Sequence, residues 1–168
     1  MAAQPEETSL QDRFASRSCC FGCGPANELG LRIKSFPEPD SVSLETGAEY
    51  VSAEWHPGLH HEAFPGMLNG GIIGSLLDCH SNWTAAWHLM NKNGWEKPQC
   101  TVTAKYSVEL LAPTPSSEPV RLRAKVVEST ARRATVEAEL SSGGKVTAKC
   151  IGTFVVVKPG HPAYHRWD

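Results

Sequence analysis

One acidic side chain in this chain stands out because its neighbours in the sequence are apolar. Asp78 lies in the stretch from Gly70 to Met90, which contains no lysine or arginine. An ionised carboxylate in apolar surroundings costs several kcal/mol unless it is paired or used in chemistry. Asp78 is therefore the first candidate for a general base or a nucleophile. The alternative is structural: a carboxylate bonded to Ser75, Asn82 or a neighbouring strand, which holds helix to sheet.

The residues Asn69-Gly70-Gly71 begin the same stretch and suggest a second kind of chemistry. The first turn of a helix has backbone N–H groups without helical partners, and the helix dipole is positive there. Such groups can stabilise an oxyanion, and glycine lets a substrate carbonyl approach the backbone closely. Asn69 is also a typical N-cap residue, and the two roles are compatible.

Four other polar side chains lie near Asp78 in the sequence. At about 100° per residue, Ser81 and Asn82 share a small, polar helix stripe with Asp78, and Asn82 is its predicted hydrogen-bond partner. Both are candidates for substrate binding, the alternative being helix packing. His80 points away from Asp78, so we interpret it as a core or interface histidine. His61, in the preceding loop, can line the mouth of a site or face solvent.

Two of the six cysteines have the spacing Cys20-x-x-Cys23. That spacing supplies two zinc ligands, but a tetrahedral site needs two more, and the chain has no second pair of this kind. The histidines that could complete a site are His60, His61, His161 and His165. We instead interpret the segment as a structural turn without a metal, in which Gly22 and Gly24 matter more than the thiols.

A helix over residues 70 to about 91 must position the candidate side chains, and Gly94 marks its end. Residues 56–69 contain two prolines and two glycines and are predicted to be a loop. Alternating apolar residues and turn signals predict the strands. They cover residues 29–36, 42–46 and 48–55 before the helix, and 99–111, 119–128, 133–141 and 144–157 after it. Pro-Glu-Pro-Asp at residues 37–40 predicts a turn.

One long helix among six or seven strands can bury its apolar surface only if the sheet curls around it. The predicted class is therefore α+β, a curled antiparallel sheet of about six strands wrapped around one central helix, which resembles the hotdog fold. Its domain is placed at residues 19–158, after an N-terminal tail or flap (1–18) and before a C-terminal tail (159–168).

Composition describes an ordinary globular protein. The 168 residues have room for one domain, and the formal net charge of -2 gives no reason to expect nucleic acid or a membrane as partner. The chain lacks a secretory signal pattern and a long apolar span, so we expect a cytoplasmic protein with reduced thiols.

The segment Pro65-Gly-Met-Leu-Asn-Gly-Gly-Ile-Ile-Gly-Ser-Leu-Leu-Asp78 resembles the PaaI-type hotdog acyl-CoA thioesterases. Their hallmark is His-Gly-Gly followed by an apolar helix with an Asp seven residues after the second Gly, and Gly71 to Asp78 keeps that spacing. The Cys20-Phe-Gly-Cys23-Gly-Pro-Ala-Asn opening and the strand from Tyr106 to Pro113 are similar to this group too. Asn69 replaces the usual His, and an amide cannot carry a proton. Asp78 is then the one base on the motif.

The resemblance implies an acyl-CoA thioesterase that works as a homodimer or a dimer of dimers. Asp78 of one subunit would face the Asn69-Gly70-Gly71 helix start of the other. CoA would enter only as part of the substrate, with no other cofactor. Its phosphates would meet Arg132 and Arg133, with the neighbouring basic strand as further candidates: Arg121, Arg123 and Lys125. A solvent-exposed basic edge is the alternative for each of them.

Two other functions stay open at this point. A hotdog dehydratase or hydratase would need a His and a carboxylate that converge on the substrate, and Asn69 and the divergence of Asp78 from His80 argue against it. A non-catalytic acyl-thioester binding module would hold the ligand in the same pocket without turnover.

Overall fold

The computed structural model describes residues 8–168. Along this part of the chain the elements are α1 (Leu10–Phe14), β1 (Phe36–Val42), β2 (Glu49–Trp55), a 3-10 turn (Leu59–His61), β3 (Glu62–Phe64), β4 (Met67–Leu68), α2 (Gly70–Asn93), β5 (Thr101–Leu110), β6 (Val120–Ser129), β7 (Arg133–Ser142) and β8 (Lys145–Val156). No helix among these residues is both long and apolar enough to span a membrane.

Six strands form one antiparallel sheet in the order β1-β2-β6-β7-β8-β5. Helix α2 packs on one face of this sheet and contacts β2, β5, β6, β7 and β8. The two short strands β3 and β4 pair separately, in the loop that leads to α2. The predicted α+β architecture, one long helix against a curled antiparallel sheet of six strands, is confirmed.

Helix α2 begins and ends where its sequence predicts. The Asn69 side chain caps the N-terminus, and Gly94 ends the helix in the left-handed conformation, with φ of 66°. The second half of the helix is buried on almost every side, because the sheet curls around it. Ser81 and Asn82 are therefore buried as well, although their small, polar stripe predicts a more open surface.

The first strand lies later in the chain than its alternation predicts. Leu31 and Ile33 are buried, but their N–H groups donate to Phe21 O (2.7 Å) and Gly22 O (3.1 Å), not to a sheet strand. Strand β1 instead includes Pro37 and Pro39, in the segment predicted to be a turn. Proline lacks an N–H group, and β1 tolerates it because it is an edge strand.

Both ends of the described chain pack onto the core. Leu10 and Gln11 of α1 are buried, and Trp167 stacks on Trp83 of α2 with ring centroids 4.2 Å apart. Residues 1–7 of the predicted N-terminal tail or flap lie outside the described residues. The predicted domain boundaries stay predictions.

Candidate active site

The start of α2 presents one backbone donor without a partner. Asn69 Oδ1 accepts hydrogen bonds from Gly71 N (2.8 Å) and Ile72 N (3.3 Å), so the Gly71 donor is already used by the cap. Asn69 N in turn donates to His61 O at 2.9 Å, which fixes the cap to the preceding turn. Within residues 8–168 nothing accepts a hydrogen bond from the Gly70 N–H. An oxyanion at this helix start would bind to Gly70 N–H.

Asp78 lies on the same helix, two turns further along, and is half-buried. Thr103 Oγ1, on β5, donates to Asp78 Oδ1 at 2.7 Å. Burial raises the pKa of the Asp78 carboxyl, and the nearby Cys20 sulfur adds to this effect, while the Thr103 bond and the charge of Arg166 oppose it. A carboxylate with a raised pKa is a stronger general base once it is ionised.

Asp78 and Asn82 do not form the predicted pair. Asn82 Oδ1 accepts from Thr101 Oγ1 at 2.7 Å, and its amide group donates to Thr101 O at 3.3 Å. Thr101 and Thr103 are two residues apart on β5, so both face α2 and each takes one of the two helix side chains. Hydrogen bonds to Thr101 and Thr103 of β5 therefore replace the predicted i,i+4 hydrogen bond between Asp78 and Asn82.

Ser81 and His80 are both fully buried. Ser81 Oγ meets no hydrogen-bond partner by distance and angle among the described residues, and it lies beside the Cys150 thiol of β8 rather than at an opening. His80 is the core histidine that the helix spacing predicts: its Nδ1 pairs with Ser35 Oγ (2.9 Å) and its Nε2 with Val51 O (3.0 Å). Burial lowers the pKa of His80 to about 4, so the ring is neutral at pH 7.

His61 lies near the helix start but its ring is already engaged. Its Nδ1 accepts from Gly58 N at 2.8 Å, and the ring lies 4.7 Å from that of Trp55. Burial lowers the pKa of His61, and the neighbouring His60 has the same effect. His61 contributes its carbonyl group to this site, because His61 O accepts from Asn69 N.

The predicted phosphate-binding cations lie away from Asp78. Arg132 donates to Val156 O and Val157 O, in the turn that also contacts Asn93 at the C-terminal end of α2. That end is about 22 Å from Asp78 along the helix. Arg133 is exposed beside it. The other three cations each pair with a glutamate: Arg121 with Glu54, Arg123 with Glu38 and Lys125 with Glu45.

Two neighbours of this site have no clear signal in the sequence. Thr103 contacts Asp78 only because the register of β5 places it there. The sequence shows only that this strand alternates and carries small polar residues on one face. Arg166 follows α2 by more than seventy residues, in a segment without periodicity. It donates to Thr101 O at 2.6 Å and is the cation that lowers the pKa of Asp78.

The Cys20-x-x-Cys23 turn lies against α2 and meets a third cysteine, Cys79, next to Asp78. Of the histidines considered as further ligands, His61 accepts from Gly58 N, His161 accepts from Ala163 N, and His165 pairs with Asp168. The neighbouring thiols of Cys23 and Cys79 lower the pKa of Cys20, whereas Cys20 raises the pKa of Cys79.

Strand β5 leaves an apolar surface open beside the helix start. It is an edge strand, and an irregularity between Thr103 and Lys105 lets Tyr106 and Leu110 face the helix side as Thr103 does. Nevertheless Tyr106 is 46% and Leu110 58% exposed. A long, apolar, unpaired edge is a feature that monomeric proteins avoid.

The sequence of residues 65–149, half of the chain, matches the family model of the thioesterase superfamily. The matched region includes Gly70, Asp78 and Thr103. No curated protein matches the sequence.

Solved structures share the fold. One is a thioesterase superfamily protein from Shewanella loihica PV-4, with 27% identity, a TM-score of 0.55, and coverage of 71% of this chain and 97% of that one. A phenylacetic acid degradation-related protein from Ralstonia eutropha JMP134 has 21% identity and a TM-score of 0.56, with 73% and 84% covered. A conserved protein from Pseudomonas aeruginosa has 23% identity and a TM-score of 0.55, with 73% and 88% covered.

Proposed function

This chain belongs to the thioesterase superfamily, which makes it a thioester hydrolase in general terms, and we propose that it hydrolyses an acyl-CoA thioester to the free acid and CoA. The observation that carries the proposal is a pair of groups on α2: the Gly70 N–H, which has no acceptor among the described residues, and the half-buried Asp78 carboxylate, which Thr103 holds by one oxygen. The N–H group can stabilise an oxyanion. The carboxylate can activate an attacking water molecule or attack the carbonyl carbon itself.

The proposed reaction needs both groups at one carbonyl. Asp78 takes a proton from a water molecule, and the water oxygen bonds to the thioester carbon. The carbonyl oxygen gains the electron pair and is stabilised by Gly70 N–H. Collapse of this intermediate breaks the C–S bond and releases the thiolate, which takes up the proton. Direct attack by the Asp78 carboxylate, followed by hydrolysis of the acyl-enzyme anhydride, fits the same positions.

A single subunit cannot bring the two groups together. Eight residues separate Gly70 from Asp78, which is about 12 Å along the helix axis. An oxyanion donor and a general base must each lie about 3 Å from the reacting group. The active site therefore combines Asp78 of one subunit with Gly70 of another.

The exposed edge of β5 suggests how a homodimer does this. Thr103, near the beginning of β5, holds Asp78, while Leu110 at its end lies beside Gly70. Two β5 strands paired antiparallel about a two-fold axis place the beginning of each beside the end of the other. Asp78 of one subunit then approaches Gly70 of its partner, and the partner helix covers Tyr106 and Leu110. Two such dimers can join as a tetramer.

Three arginines, one near Asp78 and two further away, fit an anionic substrate. Arg166 lies closest to Asp78, within the reach of its charge. Arg132 and Arg133 are proposed to meet the phosphates, because the long pantetheine arm of CoA separates its phosphates from the reacting carbonyl. Among the described residues Arg133 forms no ion pair, so its guanidinium group is free to bind a phosphate.

A dehydratase is not favoured by this geometry. Such chemistry needs a histidine beside the carboxylate, and His80 is turned into the core, where Ser35 and Val51 use both ring nitrogens. The alternative, a non-catalytic binding module, would bind acyl-CoA without hydrolysing it.

The test is thiol release from a panel of short, long and aromatic acyl-CoAs. Asp78→Asn keeps the size of the side chain and the acceptor for Thr103 but removes the base, so we expect a loss of at least about 100-fold in kcat. Asp40→Asn, an exposed carboxylate on β1, is the matched control and should retain wild-type rates. An Asp78→Asn rate within a fewfold of wild type contradicts the mechanism. Binding of acyl-CoA without any hydrolysis by the wild type supports the binding module instead.

A further inference from the structure

The three-cysteine cluster of Cys20, Cys23 and Cys79 has no part in the proposed hydrolysis. Its three sulfur atoms all lie within 4.8 Å of one another, and Cys20 Sγ is 3.7 Å from Cys79 Sγ. Two sulfurs bonded to a tetrahedral zinc ion, each at about 2.3 Å, lie roughly 3.8 Å apart. The cluster thus has nearly the spacing of a metal–thiolate site, whereas a disulfide would use only two of its three sulfurs.

The turn that carries Cys20 and Cys23 is fixed in place by its backbone. Gly24 N donates to Cys20 O at 2.8 Å, and the carbonyl groups of Phe21 and Gly22 accept from Leu31 and Ile33. Gly22 lies directly over the helix cysteine: a Cβ atom there would be 2.4 Å from Cys79 Sγ. Only glycine allows this approach, so the turn is shaped to bring its thiols onto α2.

One N–H group points at a sulfur atom from outside the cluster. Trp83 Nε1 donates to Cys23 Sγ at 3.3 Å. Such N–H to sulfur contacts are the outer hydrogen bonds that orient and tune thiolate ligands of metals. This contact is a second observation, independent of the sulfur–sulfur distances, that favours a thiolate ligand at Cys23.

We propose that Cys20, Cys23 and Cys79 bind one Zn²⁺ ion as thiolates. Cys20 is only partly buried, so a solvent molecule can take the fourth position. Each thiol that becomes a ligand gives its proton to solvent, and neither sulfur nor zinc changes its oxidation state. Cys20 and Cys23 lie outside residues 65–149, the region that matches the family model, so the ion would tie the segment before that region to helix α2, next to Asp78.

The first test is metal uptake by the full chain in a reducing buffer. After removal of bound metal, Zn²⁺ is titrated against a chromophoric chelator, and Cd²⁺ is titrated while thiolate-to-metal charge-transfer absorption is recorded. We expect one ion per chain and a higher Tm with Zn²⁺. Cys20→Ser and Cys79→Ser should lose most of the affinity, whereas Cys19→Ser, an exposed thiol beside the cluster, should keep it. Equal uptake by Cys20→Ser and wild type, or no uptake by folded wild type, overturns the proposal.

The second test needs no variant and so does not depend on how a variant folds. Wild-type protein is alkylated with and without Zn²⁺, and the modified cysteines are identified by mass spectrometry. Cys20 should react in metal-free protein and be protected by Zn²⁺, while Cys19 should react in both. Equal modification of Cys20 in the two samples contradicts zinc binding at this cluster.

Discussion

At the scale of single residues, the carboxylate of Asp78 is held by one hydroxyl group. Thr103 Oγ1 donates to it at 2.7 Å, while burial raises its pKa. Sequence reasoning finds Asp78, because a carboxylate among apolar residues stands out. It does not find Thr103, because that contact depends on the register of a strand 25 residues away. The predicted hydrogen bond between Asp78 and Asn82 is wrong, because Asn82 pairs with Thr101 instead.

The Gly70 N–H can be removed without disturbing the helix. Gly70 is the first residue of α2, where proline is favoured, and Asn69 has the extended backbone (ψ of 135°) that precedes proline. We expect Gly70→Pro to lower kcat roughly 10²- to 10³-fold, the usual effect of losing one oxyanion donor. The control, Gly70→Ala, adds a Cβ but keeps the N–H and should stay within a fewfold of wild type. Thiol release by Gly70→Pro at the wild-type rate would rule out this donor.

His80 should make the fold sensitive to mild acid. Its pKa falls from 6.5 to about 4 on burial, so the unfolded chain binds a proton that the folded chain does not. Its contribution is present above pH 6.5 and is lost as the pH falls towards 4, by up to about 3 kcal/mol. Urea unfolding at several pH values should show a flatter profile for His80→Gln than for wild type. The exposed His161→Gln serves as the control, and parallel profiles for wild type and His80→Gln would refute this role.

At the scale of elements, long periodic segments are predictable and their partners are not. The predicted α2 and the four strands after it agree with the structure to within about two residues, the usual uncertainty of element ends. The alternation at residues 29–36 is real, because Leu31 and Ile33 are buried, but their backbone partners are Phe21 and Gly22. Periodicity shows which side chains are buried and does not show which backbone pairs with which.

The edge of β5 should be the dimer interface. Leu110 is 58% exposed and faces the helix side, so Leu110→Lys would place a charge in the proposed contact. We expect this variant to be monomeric by light scattering and to lose most thioesterase activity. Ile151→Lys changes a residue of β8 that is 47% exposed, on the outer face of the sheet, and this variant should remain at least dimeric. A dimeric and fully active Leu110→Lys variant would exclude this interface.

At the scale of the whole molecule, the proposed site exists only between subunits. The fold places the proposed oxyanion donor and the proposed base on one helix, about 12 Å apart, and leaves an apolar strand edge open beside both. Hydrogen bonds within the chain already fix Asn69 and Asp78, so the proposed dimer has only to bring the two halves together. Sequence alone suggests this assembly through a family resemblance, whereas the geometry of α2 and β5 supplies a physical reason for it.

The most direct measurement is subunit complementation between Gly70→Pro and Asp78→Asn. Each variant alone should be nearly inactive. When the two are unfolded together and refolded as a mixture, half of the dimers should be mixed, and each mixed dimer has one site with both an intact Gly70 and an intact Asp78. If each active site combines Asp78 of one subunit with Gly70 of the other, the mixture should recover about a quarter of wild-type thiol release. A mixture that forms mixed dimers but recovers no activity would contradict it.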